Sequence, residues 1–430
     1  MERIAKLLGE LESVCRSTLE QCTVSVETRF GGEEKTSRLL LPCGDLKYPS
    51  FWVRDCVMSC LSGLVDDDAV REYLEGFASY GQNGPETRRL KNGLEVPPWA
   101  VCDHLNYNGR PVWYPGTYAD GEDQGDGSFG VLPPLDDNYW FVLLAAWYVN
   151  RSGDREILRK TFSGVTLIER LGRAWEGYSV DPETELCFSE DARYAVDWGF
   201  TDTVQKSGKL LFSSVQRFHA GHALGMLLDD CGQRRRAREV LSRTERLRRS
   251  IVEAFSVPGQ GWLRSSTGIC GQNDVWGTLF ALWCGVPDED LSRRIVRDAA
   301  EAYRNGTDAV LHGYVRHVRK RDDARPGISA WERVAGEEAY DVYQNGAYWA
   351  TPSGWLFWAL WKAEPELALE AAEAFCRHTE ERLETGAPYE WINGAGEHSG
   401  SLYGTSAALP YLGMLRIAAE AKEAAGLGDL

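Results

Sequence analysis

The chain has 430 residues, of which 64 are acidic and 47 are basic, and its formal net charge is −17 at pH 7. A surface of this charge repels a phosphate backbone, and no polybasic run is present that would bind an anionic membrane, so we expect neither nucleic acid nor membrane as a partner. With 43% hydrophobic residues and no run of 18 apolar ones, the chain is typical of a folded protein with a large core and no membrane span.

Eleven cysteines are scattered along the chain, and none forms a close pair at metal-ligand spacing. Cys56 and Cys60 are four residues apart in a predicted helix, which is typical of packing. The first 20 residues alternate charged and apolar groups instead of forming a secretory segment. We therefore expect free thiols in a reducing cytoplasm, no metal site and no cofactor.

Helical periodicity between breaker residues predicts twelve helices and little else. A β-hairpin insertion is predicted at 23–41, with strands 23–30 and 34–41 on either side of Gly31 and Gly32. We expect an all-α protein with a single domain over residues 1–430. In chain order the predicted helices are 2–20, 53–65, 67–81, 137–151, 154–177, 214–230, 232–255, 272–285, 287–304, 346–362, 364–384 and 401–424.

Short and long connections alternate along this series. Short turns such as 150–153 and 286–287 make antiparallel helical hairpins, whereas the connections between hairpins are long and rich in Gly, Pro, Trp and Asp. The first helix of a pair, as at 137–151 and 346–362, is apolar nearly all round, and the second, as at 232–255, is amphipathic. Because a helix that is apolar on all sides is buried on all sides, we predict an (α/α)6 toroid whose inner helices all begin at one end.

Polar and aromatic residues recur at the predicted starts of the inner helices. Asp and Asn are ordinary helix caps, and the 16 Trp and 18 Tyr are also compatible with a large aromatic core. An aromatic neighbour beside nearly every polar cluster favours a shared cleft, and the long stretch 83–135 is predicted to form a wall of it. The candidate substrate-binding residues from these clusters are Trp52, Arg54, Asp55, Asp136, Asp137, Gln272, Asn273, Asp274, Gln344, Asn345, Tyr348 and Trp349.

A carbohydrate is the ligand class that such a cleft fits. Sugars place their C–H faces on aromatic rings and pair their hydroxyls with planar carboxylates and amides. A neutral sugar is also compatible with the acidic composition of the chain. Three more aromatic residues in predicted cleft loops are therefore candidates for substrate binding: Trp198, Tyr389 and Trp391.

Cleavage of a glycosidic bond also needs two carboxyl groups on opposite faces of that bond. The segment 194–209 offers Asp197 and Asp202, both near aromatic residues, and the segment 388–394 offers Glu390 between two aromatic residues. Burial beside such rings raises a carboxyl pKa toward that of a general acid. Each carboxyl is also compatible with an ordinary turn, a cap or a solvated loop, so these three are hypotheses for catalytic residues.

At these residues the chain resembles the six-hairpin glycosidases, which include glucoamylase, trehalase, processing α-glucosidase and the glucosidase module of glycogen debranching enzymes. The sequence Trp-Val-Arg-Asp at 52–55 resembles the family's Arg-Asp sugar clamp. The segment 389–390, followed by a helix that contains Gly-Met-Leu-Arg at 413–416, looks like the family's last catalytic loop, and the resemblance places Glu390 on the second carboxylate.

The segment 198–209 is similar to the debranching-type segment, and that match places Asp202 on the general acid with Asp197 as an additional acid nearby. The Trp-Asp element of trehalases is not reproduced in order, because this chain has Asp-Trp-Gly-Phe at 197–200. The acid therefore stays open between Asp197 and Asp202. Such families commonly invert the anomeric configuration, which implies carboxylates about 6.5–9.5 Å apart.

Other functions fit a toroid of this class. A sugar isomerase or epimerase would use histidine as acid and base, a sugar phosphorylase would need a basic phosphate pocket, and a carbohydrate-binding toroid would need no acid at all. Replacing Asp202 and Glu390 separately by amides distinguishes these possibilities. The histidines available for the isomerase alternative are residues 104, 219, 222, 312, 317, 378 and 398.

Overall fold

The computed structural model describes residues 1–30, 34–44, 47–118, 120–306, 308–319, 329–336 and 339–426. Within these ranges the chain is mainly helical, with short strands in the connections. The helices are α1 Glu2–Cys22, α2 Val53–Cys60, α3 Asp67–Gly76, α4 Asp137–Ser152, α5 Leu167–Glu176, α6 Leu211–Asp230, α7 Arg234–Phe255, α8 Val275–Trp283, α9 Glu289–Arg304, α10 Ser353–Ala363, α11 Pro365–Arg382 and α12 Gly404–Ala424.

Six of these helices form a closed inner ring. Along the ring α2 contacts α4, and contacts continue through α6, α8 and α10 to α12, which contacts α2 again. The helices α3, α5, α7, α9 and α11 lie outside the ring, and α1 packs against α12 and α11 as the sixth outer helix. The first and last helices of the chain therefore form the sixth hairpin. This is the predicted (α/α)6 toroid, and the predicted fold class is confirmed.

Side-chain patterns explain the two layers. In α10 every residue from Ser353 to Leu360 is buried, so this part of the helix has no polar face to present to water. The outer helix α7 buries one narrow stripe at helical spacing and exposes the rest, including most of its arginines. The buried residues of α7 are Ala237, Val240, Thr244, Leu247, Ile251 and Phe255.

Short sheets fill the connections. The predicted N-terminal hairpin is present as β1 paired with β2, although its turn at Gly31 and Gly32 lies outside the described residues. The strands are β1 Thr23–Thr28, β2 Lys35–Leu40, β3 Phe51–Trp52, β4 Arg88–Arg89, β5 Glu95–Val96, β6 His104–Leu105, β7 Pro111–Val112, β8 Thr161–Phe162, β9 Val165–Thr166, β10 Phe188–Ser189, β11 Gly208–Lys209, β12 Val310–Leu311, β13 Tyr314–Arg316, β14 Tyr348–Trp349, β15 Tyr389–Ile392 and β16 His398–Leu402.

Several helices begin later than the sequence predicted. Helix α5 was predicted from residue 154 but begins at Leu167, because Ser163 and Gly164 take positive φ angles of 50° and 80° in the turn between β8 and β9. Helix α10 begins at Ser353 instead of 346, because Tyr348–Trp349 forms β14. That strand lies at the centre of an antiparallel five-stranded sheet, β12 to β16 in sequential order. Pairing with neighbouring strands therefore places residues 161–162, 165–166 and 348–349 in sheets and not in the predicted helices.

Candidate functional site

One cavity of about 440 Å³ opens where the inner helices begin. Residues that precede or start α2, α6 and α12 line it, together with Tyr343 from the connection to α10 and six residues of the 83–135 stretch. Those six are Asp103, Pro115, Gly116, Thr117, Tyr118 and Phe129. Connections that are far apart along the chain thus meet at one rim.

Four carboxyl groups line this cavity, and two of them come from the segments with predicted catalytic residues, Asp202 before α6 and Glu390 on β15. Burial raises the pKa of Asp202 to about 7, although a hydrogen bond from the neighbouring Gln344 amide has a smaller lowering effect. Burial also raises the pKa of Glu390 to about 7, although the charge of Lys47 and the hydrogen bond from Tyr48 have smaller lowering effects. The negative charge of Asp202 adds a smaller upward effect on the pKa of Glu390, so the two carboxyls interact across the cavity.

Glu390 has a fixed orientation. The Tyr48 hydroxyl donates to its carboxylate, with the two oxygens 3.1 and 3.3 Å away, and Lys47 Nζ lies 3.9 Å from Oε2. The side chain of Glu390 is only 2% exposed. A donated hydrogen bond and a nearby cation both favour the ionised form of a carboxyl group.

Gly400 packs directly against Glu390 from the neighbouring strand. A Cβ at Gly400 would overlap Glu390 Oε2, and the φ angle of Gly400 is +79°. We expect Gly400→Ala to displace the carboxylate and to reduce kcat by roughly 10²-fold, since a displacement of about 1 Å costs that much. The measurement is kcat for the variant against Gly396→Ala, which has a similar φ of +80° but meets only histidine side chains. Equal kcat values for the two variants would contradict this expectation.

Asp202 has a different environment. It is partly exposed, and it follows a 3₁₀ turn at Gly199–Thr201. Its Oδ1 atom is buried and accepts no hydrogen bond from the described residues. Behind it, Gln344 Oε1 accepts from both the backbone N–H and the hydroxyl of Thr203, at 2.8 Å each. A buried carboxyl oxygen without a donor is suited to carry a proton itself.

Arg54 pairs with three buried carboxylates at the cavity. Its guanidinium donates to Asp103 at 2.7 Å, to Asp136 at 2.9 Å and to Asp137 at 2.7 Å. Asp103 also lies 2.7 Å from His104 Nδ1. Arg54 and Asp103 line the cavity, whereas the predicted binding residues Asp136 and Asp137 do not and act on Arg54 from behind.

Asp55 lines the cavity and accepts a 2.7 Å hydrogen bond from the Tyr403 hydroxyl. Burial raises the pKa of Asp55 to about 7, although the positive charge of Arg54 has a smaller lowering effect. Asp55 is thus a fourth carboxyl of the cavity lining, beside Asp103, Asp202 and Glu390, and both residues of the predicted sugar clamp, Arg54 and Asp55, line the cavity.

Aromatic rings form much of the remaining lining. Trp52 stacks on His104 with ring centroids 4.2 Å apart and meets Tyr48 edge-on at 5.5 Å. Trp391, a candidate for substrate binding, also lines the cavity, and Tyr118 is 45% exposed at its edge. Such faces are the surfaces on which sugar rings stack.

Asp197 and Asp274 do not line the cavity. Asp197 accepts hydrogen bonds from the backbone and hydroxyl of Ser213 in the first turn of α6, and Asp274 caps α8 through Gly277 N. Both carboxylates also face the buried Lys206 ammonium, at 2.8 and 3.6 Å. Both residues therefore cap helices, the alternative that the sequence had left open for them.

The other predicted residues outside the cavity lining lie in its supporting structure. Trp198 is buried against Phe212, and Trp349 donates from its indole to the Tyr343 carbonyl. The remaining five have partners elsewhere: Gln272 with Ala330, Asn273 with Gln260, Asn345 with Ala330, Tyr348 with Arg316, and Tyr389 with His398. Gln344 contacts Asp202's neighbour Thr203 without lining the cavity.

Sequence reasoning missed several lining residues: Tyr48, Asp103, Tyr118, Phe200, Tyr343 and Tyr403. Tyr48 and Tyr403 lie next to predicted clusters, so proximity to those clusters was a usable signal. Asp103 and Tyr118 belong to the stretch 83–135 that was predicted as a wall, but no local pattern selects them. Among the described residues, no three His, Cys, Asp or Glu side chains come together as ligands for a metal ion.

The described helices include none that is both long and apolar enough to cross a membrane. Eight of the eleven cysteines are buried: Cys15, Cys22, Cys43, Cys56, Cys60, Cys102, Cys187 and Cys270.

The fold is that of the (α/α)6-barrel glycosidases, as the sequence resemblance implied. Glucoamylase from Saccharomycopsis fibuligera is similar with a TM-score of 0.61 and 11% identity, over 97% of this chain and 96% of that chain. The GH63 mannosylglycerate hydrolase from Thermus thermophilus, solved with glucose, has a TM-score of 0.60 and 14% identity, over 94% of this chain and 99% of that chain.

A rhamnosidase from Klebsiella oxytoca with rhamnose bound is similar with a TM-score of 0.58 and 13% identity, over 96% of this chain. The present chain spans 64% of that rhamnosidase. No protein-family model and no curated protein sequence matches the chain. At these identities the likeness shows the fold.

Proposed function

We propose that this protein is a glycoside hydrolase that cleaves a glycosidic bond in a small neutral oligosaccharide or glycoside. The observation that carries the proposal is the meeting of Asp202 and Glu390 in one aromatic cavity, both with pKa values raised by burial. Two carboxyl groups that titrate near neutrality, beside faces suited to sugar rings, are the parts that glycoside hydrolysis needs.

Asp202 is the general acid in this proposal and Glu390 is the general base. We assign the ionised form to Glu390, because Tyr48 donates to it and Lys47 lies beside it, and both contacts favour a carboxylate. We assign the protonated form to Asp202, because burial raises its pKa more than the hydrogen bond from Gln344 lowers it, and its Oδ1 has no donor among the described residues. Asp202 then protonates the leaving oxygen while Glu390 takes a proton from the attacking water, with inversion of the anomeric configuration.

The substrate's terminal sugar ring binds between Arg54-Asp55 and the aromatic lining. Trp52 and Trp391 offer faces for the ring, and Asp55 and Asp103 accept from its hydroxyls. A cavity of about 440 Å³ lies at the lower end of the range for small-molecule sites and fits one or two sugar rings. Its several carboxyls oppose an anionic sugar.

We also propose that residues 1–430 form one catalytic domain in a reducing cytoplasm. The proposal of one domain is supported by the ring itself, since α1 packs against α12 and both helices are needed to complete it. The compartment is supported by the scattered placement of the eleven cysteines along the sequence, which is typical of thiols and not of a disulfide framework.

A panel of substrates tests the function. The similar proteins suggest glucosides, mannosides and rhamnosides, with mannosylglycerate as an anionic comparison, each assayed for released sugar, with NMR of the first-formed anomer to show inversion. Asp202→Asn and Glu390→Gln are each expected to reduce the hydrolysis of these glycosides by roughly 10²-fold or more. No hydrolysis of any panel member, or hydrolysis that stays at the wild-type rate after both changes, would sink the proposal. Isomerisation that is lost only with a histidine change would support the isomerase alternative, but none of the seven histidines lines the cavity.

The pH dependence follows from the two carboxyls. Because both pKa values lie at about 7 and the groups interact, the pair releases its two protons in separate steps around neutrality. We expect kcat/KM to be bell-shaped and highest near neutral pH. It falls at lower pH as Glu390 gains a proton, and at higher pH as Asp202 loses one. A kcat/KM that is constant from about pH 5 to about pH 9 would contradict this assignment.

A further inference from the structure

Lys206 is a fully buried cation that the proposed reaction does not use. Its side chain is 1% exposed, and its Nζ lies 2.8 Å from Asp197 Oδ2 and 3.6 Å from Asp274 Oδ2. Both carboxylates are also buried, at 0% and 2% side-chain exposure. Their charges raise the pKa of Lys206 although burial, the largest single effect, lowers it. Lys206 is therefore a charged ammonium inside the protein.

The ion-paired residues Asp197 and Lys206 lie on either side of the proposed acid, Asp202, in the sequence. Asp197 and Lys206 are the two ends of a ten-residue segment, 197–206, and Asp202 lies between them. The pair joins the ends of this segment, which we call the acid loop. Asp197 also accepts from Ser213 N and Oγ, at 3.0 and 2.7 Å, so the joined ends are attached to the first turn of α6.

The rest of the acid loop is held at two further places. Thr201 N donates to the Trp198 carbonyl at 2.7 Å, and the Trp198 ring stacks on Phe212 of α6 with centroids 3.7 Å apart. On the other side of Asp202, Thr203 donates twice to Gln344. The acid loop is therefore fixed on both sides of Asp202, while the carboxyl of Asp202 itself faces the cavity.

We propose that Asp197 and Lys206 are positioning residues that close the acid loop and hold Asp202 at its working place, an inference that rests on the proposed function. Buried ion pairs contribute little net stability compared with apolar groups of the same size, but they can specify one arrangement. A carboxyl that must donate to one glycosidic oxygen needs such an arrangement, since about 1 Å of misplacement costs roughly 10²-fold in rate.

The nature of the leaving group separates positioning of the acid from a general loss of structure. A methyl glycoside has a poor leaving group and needs protonation by Asp202. A glycosyl fluoride of the same sugar releases fluoride with much less help from an acid. A loop displaced around Asp202 therefore slows the first substrate selectively, whereas damage to the whole cavity slows both.

The experiment measures kcat and KM for both substrates with wild type, Asp202→Asn and Asp197→Asn. For Asp197→Asn we expect kcat on the methyl glycoside to fall about 100-fold with KM within about threefold, and the fluoride rate to stay within about threefold. The matched control is Glu185→Gln, another buried carboxylate, 4% exposed, that pairs with the fully buried Arg217 at 2.6 Å and lies outside the cavity lining. Both rates should be unchanged in this control.

If Asp197→Asn does not fold, as judged by near-ultraviolet circular dichroism, the double variant Asp197→Asn/Lys206→Met removes both charges and should show the same selective loss. Equal losses on the two substrates, no loss, or failure of both variants to fold would overturn the positioning role. Wild-type protein that hydrolyses neither substrate overturns the proposed function itself. Selective loss in Asp202→Asn without any in Asp197→Asn leaves that function intact and refutes the loop inference alone.

Discussion

Replacement of Glu390 by glutamine is expected to reduce kcat by roughly 10³-fold or more, since an amide takes no proton from water and general-base catalysis contributes up to about 10⁴-fold. KM should change little, because an amide of the same size keeps the 3.1 Å contact with Tyr48. The loss should apply to methyl glycosides and glycosyl fluorides alike, since water must be activated in both reactions. The measurement is kcat for both substrates at the optimum pH.

Glu397→Gln is a suitable control for this variant. Glu397 lies in the turn between β15 and β16 and bonds Asn393 at the surface, outside the cavity lining. Its replacement should leave kcat unchanged. If Glu390→Gln retained more than about a tenth of the wild-type kcat, Glu390 would not be the base. Asp55, another carboxyl of the cavity lining whose pKa burial raises to about 7, would then be the next residue to test.

Arg54→Met is expected to have the largest effect on stability. The change leaves Asp103, Asp136 and Asp137, each 0% exposed, without the cation that they share. Breaking a single buried ion pair from one side costs about 3–5 kcal/mol, so we expect a loss of at least about that size in the free energy of unfolding. Urea denaturation at neutral pH measures it.

The loss in Arg54→Met should also depend on pH. Burial raises the pKa of Asp136 and Asp137 even in the wild type, and removal of Arg54 raises both further. The folded variant then binds more protons than its unfolded chain above the ordinary Asp pKa of about 4, so its stability falls as the pH rises. The deficit against wild type should be smaller at about pH 5 than at about pH 8.

Arg16→Met provides the control for Arg54. Arg16 is 60% exposed and pairs with Glu12 at 2.7 Å on the surface of α1. Exposed pairs of this kind contribute up to about 1 kcal/mol, so we expect a change of about 0.5 kcal/mol or less and no strong pH dependence. A similar loss in both variants would show that the buried carboxylates near Arg54 do not depend on it.

The helical layers could be predicted because their signal is local. Residues 353–360 are buried on every side and form a nearly continuous apolar sequence, whereas α7 shows a stripe at every third or fourth position. The late starts of α5 and α10 could not be predicted in the same way. Residues 348–349 are compatible with a helix in isolation, and they form a strand because β13 and β15 lie on either side of them.

The candidate catalytic carboxyls also show what local sequence can and cannot predict. Asp197 and Asp202 look alike in the sequence, since both lie near aromatic residues in one segment. In the folded chain Asp197 is paired with Lys206 and Ser213, while Asp202 lies at the cavity. The ion pair with Lys206 distinguishes Asp197 from Asp202, and nothing in the sequence indicates that Lys206 is buried. The prediction of which carboxyl is the acid stays a hypothesis until the variants are measured.

By itself the sequence determined that six apolar helices must be buried by six amphipathic ones, because periodicity of hydrophobic residues depends only on neighbours along the chain. It also pointed to the segments around Arg54, Asp202 and Glu390 as sources of polar groups. Only the tertiary structure decided which of these groups share a cavity. Burial, the approach of Tyr48 to Glu390 and the attachment of the acid loop to α6 all depend on distances that local sequence does not determine.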